Sequence, residues 1–171
     1  LMKLADFETV LPKNTPTGLK INISWQTWYP ACSSTPWQIE GVLRALRKSG
    51  YQDLVGVHND TVVVNTADGE RNNKHKVVTD AYDVPCLYLY NQDFEWVEYH
   101  PKTPLLVLDK VYPQGVFIPK ALVGMNIIHL PTVKTHVFTT ITGAMKNAFG
   151  GLLHRERHWT HAVIHDTLVD L

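Results

Sequence analysis

Lysine and histidine side chains are concentrated between positions 134 and 146. Lys134, His136 and Lys146 all lie in this stretch. A lysine can neutralise a phosphate or a carboxylate, and it becomes a nucleophile when burial or a second cation lowers its pKa. A histidine can transfer protons at neutral pH. We therefore expect both lysines to bind a small anionic ligand or cofactor, with His136 and Lys146 catalytic. The alternative is a surface lysine and a loop histidine that bonds only to the backbone.

The elements around this stretch are predicted to bring these side chains together. The apolar run 125–130 indicates a buried strand, and Pro131 ends it. A helix is expected from Thr139 or Thr140 to Phe149, and the glycine pair that follows is expected to end it. Its expected apolar face comprises Ile141, Ala144, Met145 and Ala148. Open α/β sheets bind ligands at such strand-to-helix junctions.

Four further residues are predicted to contact the ligand. They are Thr142, Gly143, Asn147 and His58. A glycine lets a ligand approach the backbone, whereas Thr142 and Asn147 either orient the ligand by hydrogen bonds or cap the helix. His58 follows a predicted strand, and it either contacts the ligand or is a buried, hydrogen-bonded histidine.

Histidines recur near the C-terminus at helical spacing. A helix is expected from His154 to the end of the chain, with the histidines on one face, namely His154, His158, His161 and His165. Imidazoles one turn apart can bind a divalent metal ion, which makes His158 and His161 the predicted ligands. His161 is also a candidate catalytic residue. The alternative is a solvated helix face beside Arg155 and Arg157.

The composition argues against several classes of protein. A chain of 171 residues with 44% hydrophobic residues is expected to form one α/β domain, residues 1–171. Lys plus Arg and Asp plus Glu both number 16, so we expect neither nucleic acid nor an anionic membrane as a partner. Cys32 and Cys86 form no paired motif, so an iron-sulfur cluster is expected only from another domain or chain.

The two ends of the chain carry further expectations. The first ten residues include acids and lack the apolar core of a signal peptide, and no run approaches membrane-spanning length. We therefore expect a cytoplasmic protein. The chain stops at Leu171 without a polar tail, which suggests that it is part of a longer protein.

The order of predicted elements indicates the fold class. Strand 19–25, a helix that begins at Pro36 after the N-cap Thr35, and strand 53–59 form a βαβ unit. Further elements follow, with a helix within 66–84, strands at 86–90, 94–99 and 105–111, and a short helix at 118–123. This order predicts an α/β fold of Rossmann-like, three-layer type, in which helices flank a mainly parallel central sheet.

Two motifs in the right order resemble the domain of unknown function 362 family. The family joins a Lys-x-His loop, here 134–136, to a Thr-Gly-x-x-Lys-Asn-x-x-Gly helix, here 142–150. The resemblance implies an uncharacterised protein and, because many members append a ferredoxin-like module, a ferredoxin-like partner or domain. The family's first strand ends in Lys-Pro-Asn, whereas the matching segment of this chain is taken to be Asn22-Ile23-Ser24. We therefore expect no anion contact at that point.

A second resemblance, to the N-terminal domain of nickel-pincer lactate racemases, is more remote. It rests on His136, Lys146 and His161, together with Gly56-Val57-His58 after the second strand. In that family two histidines exchange a proton with the substrate hydroxyl and the lysine anchors the cofactor. The resemblance thus implies acid–base roles for His136 and His161.

Two hypotheses of function follow. The first is an uncharacterised protein that binds a small anionic ligand or cofactor at the junction 131–150 and catalyses proton or hydride transfer. The second is a non-catalytic, metal- or iron-sulfur-associated redox module, in which the C-terminal histidines bind the metal. Loss of ligand on changing Lys146 would support the first, and loss of a metal ion on changing His158 and His161 would support the second.

Overall fold

A four-stranded parallel sheet forms the centre of the computed structural model, which describes residues 1–61 and 63–171. In chain order the strands are β1 Thr17–Ile21, β2 Leu54–His58, β3 Cys86–Tyr88, β4 Trp96–Glu98, β5 Phe117–Pro119, β6 Asn126–Leu130, β7 Lys134–His136 and β8 Thr140–Thr142. The central sheet has the order β3-β2-β1-β6. Strands β4 and β5 form one antiparallel pair, and β7 and β8 form another. The predicted α/β class with a parallel central sheet is confirmed.

Helices cover the sheet and connect its strands. They are α1 Phe7–Val10, α2 Pro36–Lys48, α3 Thr66–Asn72, α4 His75–Ala81, α5 Leu108–Val111, α6 Ala144–Leu152 and α7 Ile164–Asp170, with 3-10 turns at Lys3–Ala5, Lys120–Leu122 and Arg157–Val163. None of the helices among the described residues combines the length and the apolar character needed to cross a bilayer.

The two faces of β1 bury different side chains. Leu19 and Ile21 point into a core shared with α2, to which Ile39, Leu43 and Leu46 contribute. Gly18 and Lys20 alternate with them and face α6 on the other side of the sheet. Full burial of each large aliphatic side chain stabilises the fold by about 1.5–3 kcal/mol. The sheet therefore lies between two helical layers.

Helix α2 begins and ends where its local sequence signals predict. The Thr35 hydroxyl accepts a hydrogen bond from the Gln38 amide, Pro36 occupies the first turn, and Gly50 follows with a φ of 90°. The Gln38 side chain donates to the Pro131 carbonyl, so it joins the start of α2 to the end of β6. The start of α2 is thus fixed at the edge of the sheet where the strands end.

The middle of the chain departs from the predicted elements. Segment 105–111 was expected as a strand, but 108–111 is helix α5, because a side chain from α7 caps its backbone. A short apolar run does not distinguish a strand from a buried helix. The strand predicted within 94–99 is present as β4, outside the central sheet, and 118–123 combines the end of β5 with a 3-10 turn.

Helix α6 begins later and ends later than predicted. Residues 140–142 form β8 and pair with β7, because β-branched residues dominate this stretch and favour a hairpin. The glycines at 150 and 151 lie inside the helix. The expected apolar face was wrong, since Ile141 and Met145 are exposed and the buried face comprises Asn147, Ala148, Phe149 and Gly151.

Two other predicted helices are each divided. Segment 66–84 forms α3 and α4, and the buried side chains of α4 are His75 and Thr79. The C-terminal segment is a 3-10 turn followed by α7, so the helix predicted from His154 was wrong in its start and its type. A 3-10 turn has three residues per turn, and the α-helical spacing of the C-terminal histidines does not apply there.

The Asp170 carboxylate caps α5 and is expected to stabilise the fold. It accepts hydrogen bonds from the backbone amides of Leu106, Val107 and Leu108. Burial alone would raise the pKa of Asp170, but these amides outweigh that effect and lower the pKa. Asp170→Ala should reduce the free energy of unfolding by about 1–2 kcal/mol at pH 7, as for other lost caps.

Urea unfolding at pH 7 and at pH 3 measures this effect. A lowered carboxyl pKa stabilises the fold above the unfolded-state pKa and loses that effect as the pH falls through the folded-state value, so the deficit of the variant should shrink at pH 3. Asp166→Ala, an exposed position of the same helix, is the matched control. Equal effects of the two substitutions would contradict the capping role.

Candidate functional site

A cavity of about 800 Å³ lies where the strands of the central sheet end. Its walls are the segments that follow β1 and β2, the hairpin of β7 and β8, helix α6 and the 155–161 segment. From β1 the chain crosses to β2 and then to β3 on one side, whereas β6 pairs with β1 on the other side. Ligands of open α/β sheets bind at such a switch in strand order.

Lys20 lines the cavity near the end of β1, one of the two inner strands of the sheet. It is 7% exposed and its ammonium donates to the Ile21 carbonyl at 2.9 Å. A Cβ on Gly151 would lie 2.6 Å from Cδ of Lys20, so only a glycine leaves room for this side chain. Burial, and then the charge of Arg157, lowers the pKa of Lys20 to about 7. A fraction of this amine is therefore neutral at physiological pH.

Lys146 and Lys134 reach the cavity from α6 and β7. The Lys146 ammonium lies 4.1 Å from the centre of the Phe149 ring, and Lys134 donates to Oδ1 of Asn22 at 2.7 Å. Burial, followed by the charges of Arg157 and Lys134, lowers the pKa of Lys146 to about 8. Burial also lowers the pKa of Lys134. The predicted convergence of the two lysines is present in the structure.

Arg157 supplies a fourth cation. It is 9% exposed and its guanidinium donates to the Asp60 carbonyl. Two carboxylates, Asp60 and Glu156, also line the cavity. Among residues 1–61 and 63–171, no ion pair within 4.0 Å includes any of the four cations Lys20, Lys134, Lys146 and Arg157.

His136 and His161 flank the ring of Phe138 and also line the cavity. The ring centroids lie 6.0 Å and 4.5 Å from that of Phe138. Nδ1 of His136 accepts hydrogen bonds from the backbone amides of 138 and 139, whereas Nδ1 of His161 lies 2.9 Å from the His158 carbonyl. Burial and the charge of Lys146 lower the pKa of both histidines.

These contacts set opposite tautomers for the two neutral rings. An atom that accepts two amide hydrogen bonds carries no proton, so His136 holds its proton on Nε2. A carbonyl can only accept, so His161 carries its proton on Nδ1 and its Nε2 is basic. At Nε2, the ring nitrogen that the backbone leaves free, His136 is thus a hydrogen-bond donor and His161 an acceptor.

The other residues predicted to bind the ligand differ in position. Thr142 lines the cavity, and its buried hydroxyl has no hydrogen-bond partner among the described residues. Asn147 also lines the cavity, but its amide donates to the Lys20 carbonyl at 2.7 Å and so joins α6 to β1. Gly143 precedes α6 as its N-cap and lies outside the cavity lining.

Sequence comparison assigns the chain to a family. The family model described as Domain of unknown function (DUF362) matches residues 17–171. The chain belongs to this family. The searches of curated proteins and of solved structures return no match. For this DUF362 chain, the more remote resemblance to lactate racemases stays a prediction.

His58 borders the cavity and contacts a buried carboxylate. Its Nε2 lies 3.5 Å from Oε1 of Glu70, and its ring stacks on Tyr88. Burial lowers the pKa of His58 and keeps the ring neutral. Burial by itself raises the pKa of Glu70, but the adjacent His58 ring, the hydrogen bond from the Tyr88 hydroxyl and the nearby Cys86 thiol outweigh it and lower the pKa to about 2. His58 is buried, as one of the two alternatives expects, but its Nε2 has no hydrogen bond among the described residues, so its role stays a prediction.

The C-terminal histidines of this DUF362 chain have separate environments. His154 stacks on Tyr112 at 4.6 Å, His161 contacts Phe138, and His158 and His165 are exposed. Among the described residues, the one grouping of three metal-ligating side chains is His58, Glu70 and Cys86, and it contains none of these four. The metal role of His158 and His161 stays a prediction.

Two cations of the site, Lys20 and Arg157, were missed in the sequence. The segment Lys20-Ile21-Asn22 has a lysine and an asparagine at the spacing of Lys-Pro-Asn, two positions before the segment Asn22-Ile23-Ser24 with which that motif was compared, and Lys20 lines the cavity. A charged residue between Leu19 and Ile21 in a buried strand was the available signal. Arg157 entered only the alternative of a solvated helix face, and it carried no local signal for burial.

Proposed function

We propose that the cavity binds a small anionic ligand through Lys20, Lys134, Lys146 and Arg157. The observation that supports this most strongly is the gathering of four cations without an ion pair among the described residues. Burial, and then repulsion between neighbouring cations, lowers the pKa of Lys20 and of Lys146. An anion at their centre would remove this repulsion. A phosphate or a carboxylate has the charge and the acceptor atoms to do so.

The cavity volume limits the ligand to a small molecule. About 800 Å³ lies within the range of sites for metabolites and cofactors. The rings of Phe138 and Phe149 provide apolar surface near the histidines, and the Lys146 ammonium lies over the Phe149 ring. A ligand with an anionic group and an uncharged remainder fits this lining.

The two histidines are proposed to act on the bound molecule in different ways. His161 would accept a proton at Nε2 and return it, and His136 would donate a hydrogen bond from Nε2 to the negative charge that forms, because their Nδ1 atoms are committed to the backbone. The lowered pKa of both histidines favours these neutral forms. Proton transfer on a hydroxyl or a carbon beside the bound anionic group is the reaction class that this arrangement favours.

Lys146→Ala should weaken sulfate binding by roughly 10- to 100-fold, because one hydrogen bond to a charged group contributes about 1.5–3 kcal/mol. Isothermal titration calorimetry with sodium sulfate, against sodium chloride at equal ionic strength, measures the affinity. The far-UV circular dichroism spectrum should not change, since Lys146 is on the cavity wall rather than in a core.

Lys48→Ala is the matched control for this experiment. Lys48 is exposed in the last turn of α2, at the opposite edge of the sheet. The Lys48→Ala variant should bind sulfate as the unchanged protein does. Lys146→Arg keeps the charge and should retain most of the affinity. Sulfate affinity that is equal in the unchanged protein and in Lys146→Ala would refute the proposal.

A further inference from the structure

A second group of reactive side chains lies on the other face of the sheet from Lys20. Lys20 pairs in register with Val57, the residue before His58, so strand alternation directs Lys20 and His58 to opposite faces. On the His58 face, Cys86 of β3 and Glu70 of α3 join the histidine. The candidate anion site uses neither Glu70 nor Cys86.

The potential ligand atoms of this group lie close together and inside the protein. One nitrogen, one carboxylate oxygen and one sulfur all lie within 4.8 Å of one another. His58 is 1% exposed and Glu70 is 3% exposed. Cys86 is partly buried, so the three side chains, which come from two strands and a helix, have little contact with solvent.

Two of these atoms are without a hydrogen bond among the described residues. They are Nε2 of His58 and Oε1 of Glu70, which lie 3.5 Å apart. A nitrogen and an oxygen ligand of one tetrahedral zinc ion are separated by about 3.3–3.5 Å, as bond lengths near 2.0–2.2 Å require. The spacing therefore suits joint coordination better than a direct hydrogen bond.

Neighbouring residues orient the side chains that could bind a metal ion. The Tyr88 hydroxyl donates to Oε2 of Glu70 at 2.9 Å, which leaves Oε1 directed at the histidine. Gly56 pairs in register with Cys86, and a Cβ at position 56 would lie 2.7 Å from the sulfur. The glycine thus provides the space that the sulfur occupies. Residues that hold metal ligands in place in this way are common around metal sites.

We propose that His58, Glu70 and Cys86 bind one divalent zinc-type ion. Nitrogen and sulfur ligands select such an ion over magnesium or calcium, which take oxygen ligands. On binding, the metal–sulfur bond replaces the S–H bond of Cys86 and one proton is released to solvent. The ion, a carboxylate and a thiolate then sum to zero charge, so burial carries no net-charge penalty. Three protein ligands leave a fourth tetrahedral position for water.

Cobalt titration of the whole chain, produced without a histidine tag and stripped with chelator, tests the proposal. A cobalt–thiolate bond absorbs in the near ultraviolet, and we expect this band to saturate at about one ion per chain. Zinc should then displace the cobalt and remove the band. A folded protein that gives no thiolate band with cobalt would overturn the proposal.

The two cysteines provide a matched pair of variants. Cys86→Ser should abolish the band and weaken zinc binding by at least roughly 100-fold, whereas Cys32→Ser should retain both. His58→Gln should also weaken zinc binding. A reversed result for the two cysteines, or zinc loss on changing His158 and His161 alone, would place the ion elsewhere.

A further measurement needs no variant. Zinc should protect Cys86, but not Cys32, from alkylation in the unchanged protein, as peptide mass spectrometry can determine. Equal alkylation of Cys86 with and without zinc would contradict the proposal even if the Cys86→Ser variant fails to fold.

Discussion

Lys20→Met is expected to raise the free energy of unfolding by roughly 4 kcal/mol at pH 7, since each unit of pKa displacement corresponds to about 1.4 kcal/mol. Burial and the charge of Arg157 lower the pKa of Lys20 to about 7, from its usual value of 10.5. The folded protein therefore holds this ammonium at a cost that the unfolded chain does not bear. Methionine has a similar length and fits beside Gly151 without a charge.

The change of the unfolding free energy with pH tests the direction of this effect. Between pH 7 and pH 10 the unfolded chain keeps the proton of Lys20 and the folded protein loses it, so the unchanged protein gains stability as the pH rises. Below pH 7 the unchanged protein and Lys20→Met should differ in unfolding free energy by the full amount. Near pH 10.5 this difference should vanish. Urea unfolding of both proteins from pH 6 to pH 10 measures the two curves.

Lys48→Met is the control, because its side chain is exposed and its replacement should change the unfolding free energy little at any pH. Lys20→Met should also lose sulfate binding, so the variant would gain stability and lose the proposed function. If Lys20→Met were less stable than the unchanged protein at pH 7, the contacts of Lys20 would outweigh the cost of its buried charge.

Sulfate affinity is expected to fall on the order of 1,000-fold between pH 7.5 and pH 9.5, because each of the two lysines that must be protonated contributes up to tenfold per pH unit above its pKa. Burial, with the neighbouring cations, places the pKa of Lys146 at about 8 and that of Lys20 at about 7. Sulfate keeps its charge over this range. His136 and His161 have lowered pKa values and stay neutral throughout.

Calorimetric titration at half-unit pH steps measures the profile. Lys146→Arg is the sharp comparison, since an arginine remains charged and should remove the share of the pH dependence due to Lys146. The Lys48→Ala profile should match that of the unchanged protein. An affinity that stays constant to pH 10 would contradict contact between the anion and either buried lysine.

The proposed binding of an anion would offset the cost of these buried cations. Lys20 is fixed by the central strand, Lys146 by α6 and Arg157 by the 3-10 turn that follows, so three separate elements hold cations around one space. The Asn147 amide joins two of these elements directly. A preorganised cluster of this kind binds an anion without further ordering of the chain.

The sequence by itself determined the elements that depend on near neighbours. The cap at Thr35, the proline after it and Gly50 define α2, and the apolar run before Pro131 defines β6. The order of strands and helices then indicated the α/β class, and the paired motifs at 134–136 and 142–150 indicated the family that the match over 17–171 confirmed. All of these signals lie within a few residues of one another.

The tertiary structure decided the rest. Residues 134–136 and 140–142 pair as the antiparallel strands β7 and β8. The spacing of apolar residues from position 141 onward had predicted a helix there. Segment 108–111 is a helix because Asp170, distant in sequence, caps it. Lys20 is buried because Gly151 packs on it from another element. Burial and charge at the site depend on contacts across the whole chain, and no local pattern of residues encodes them.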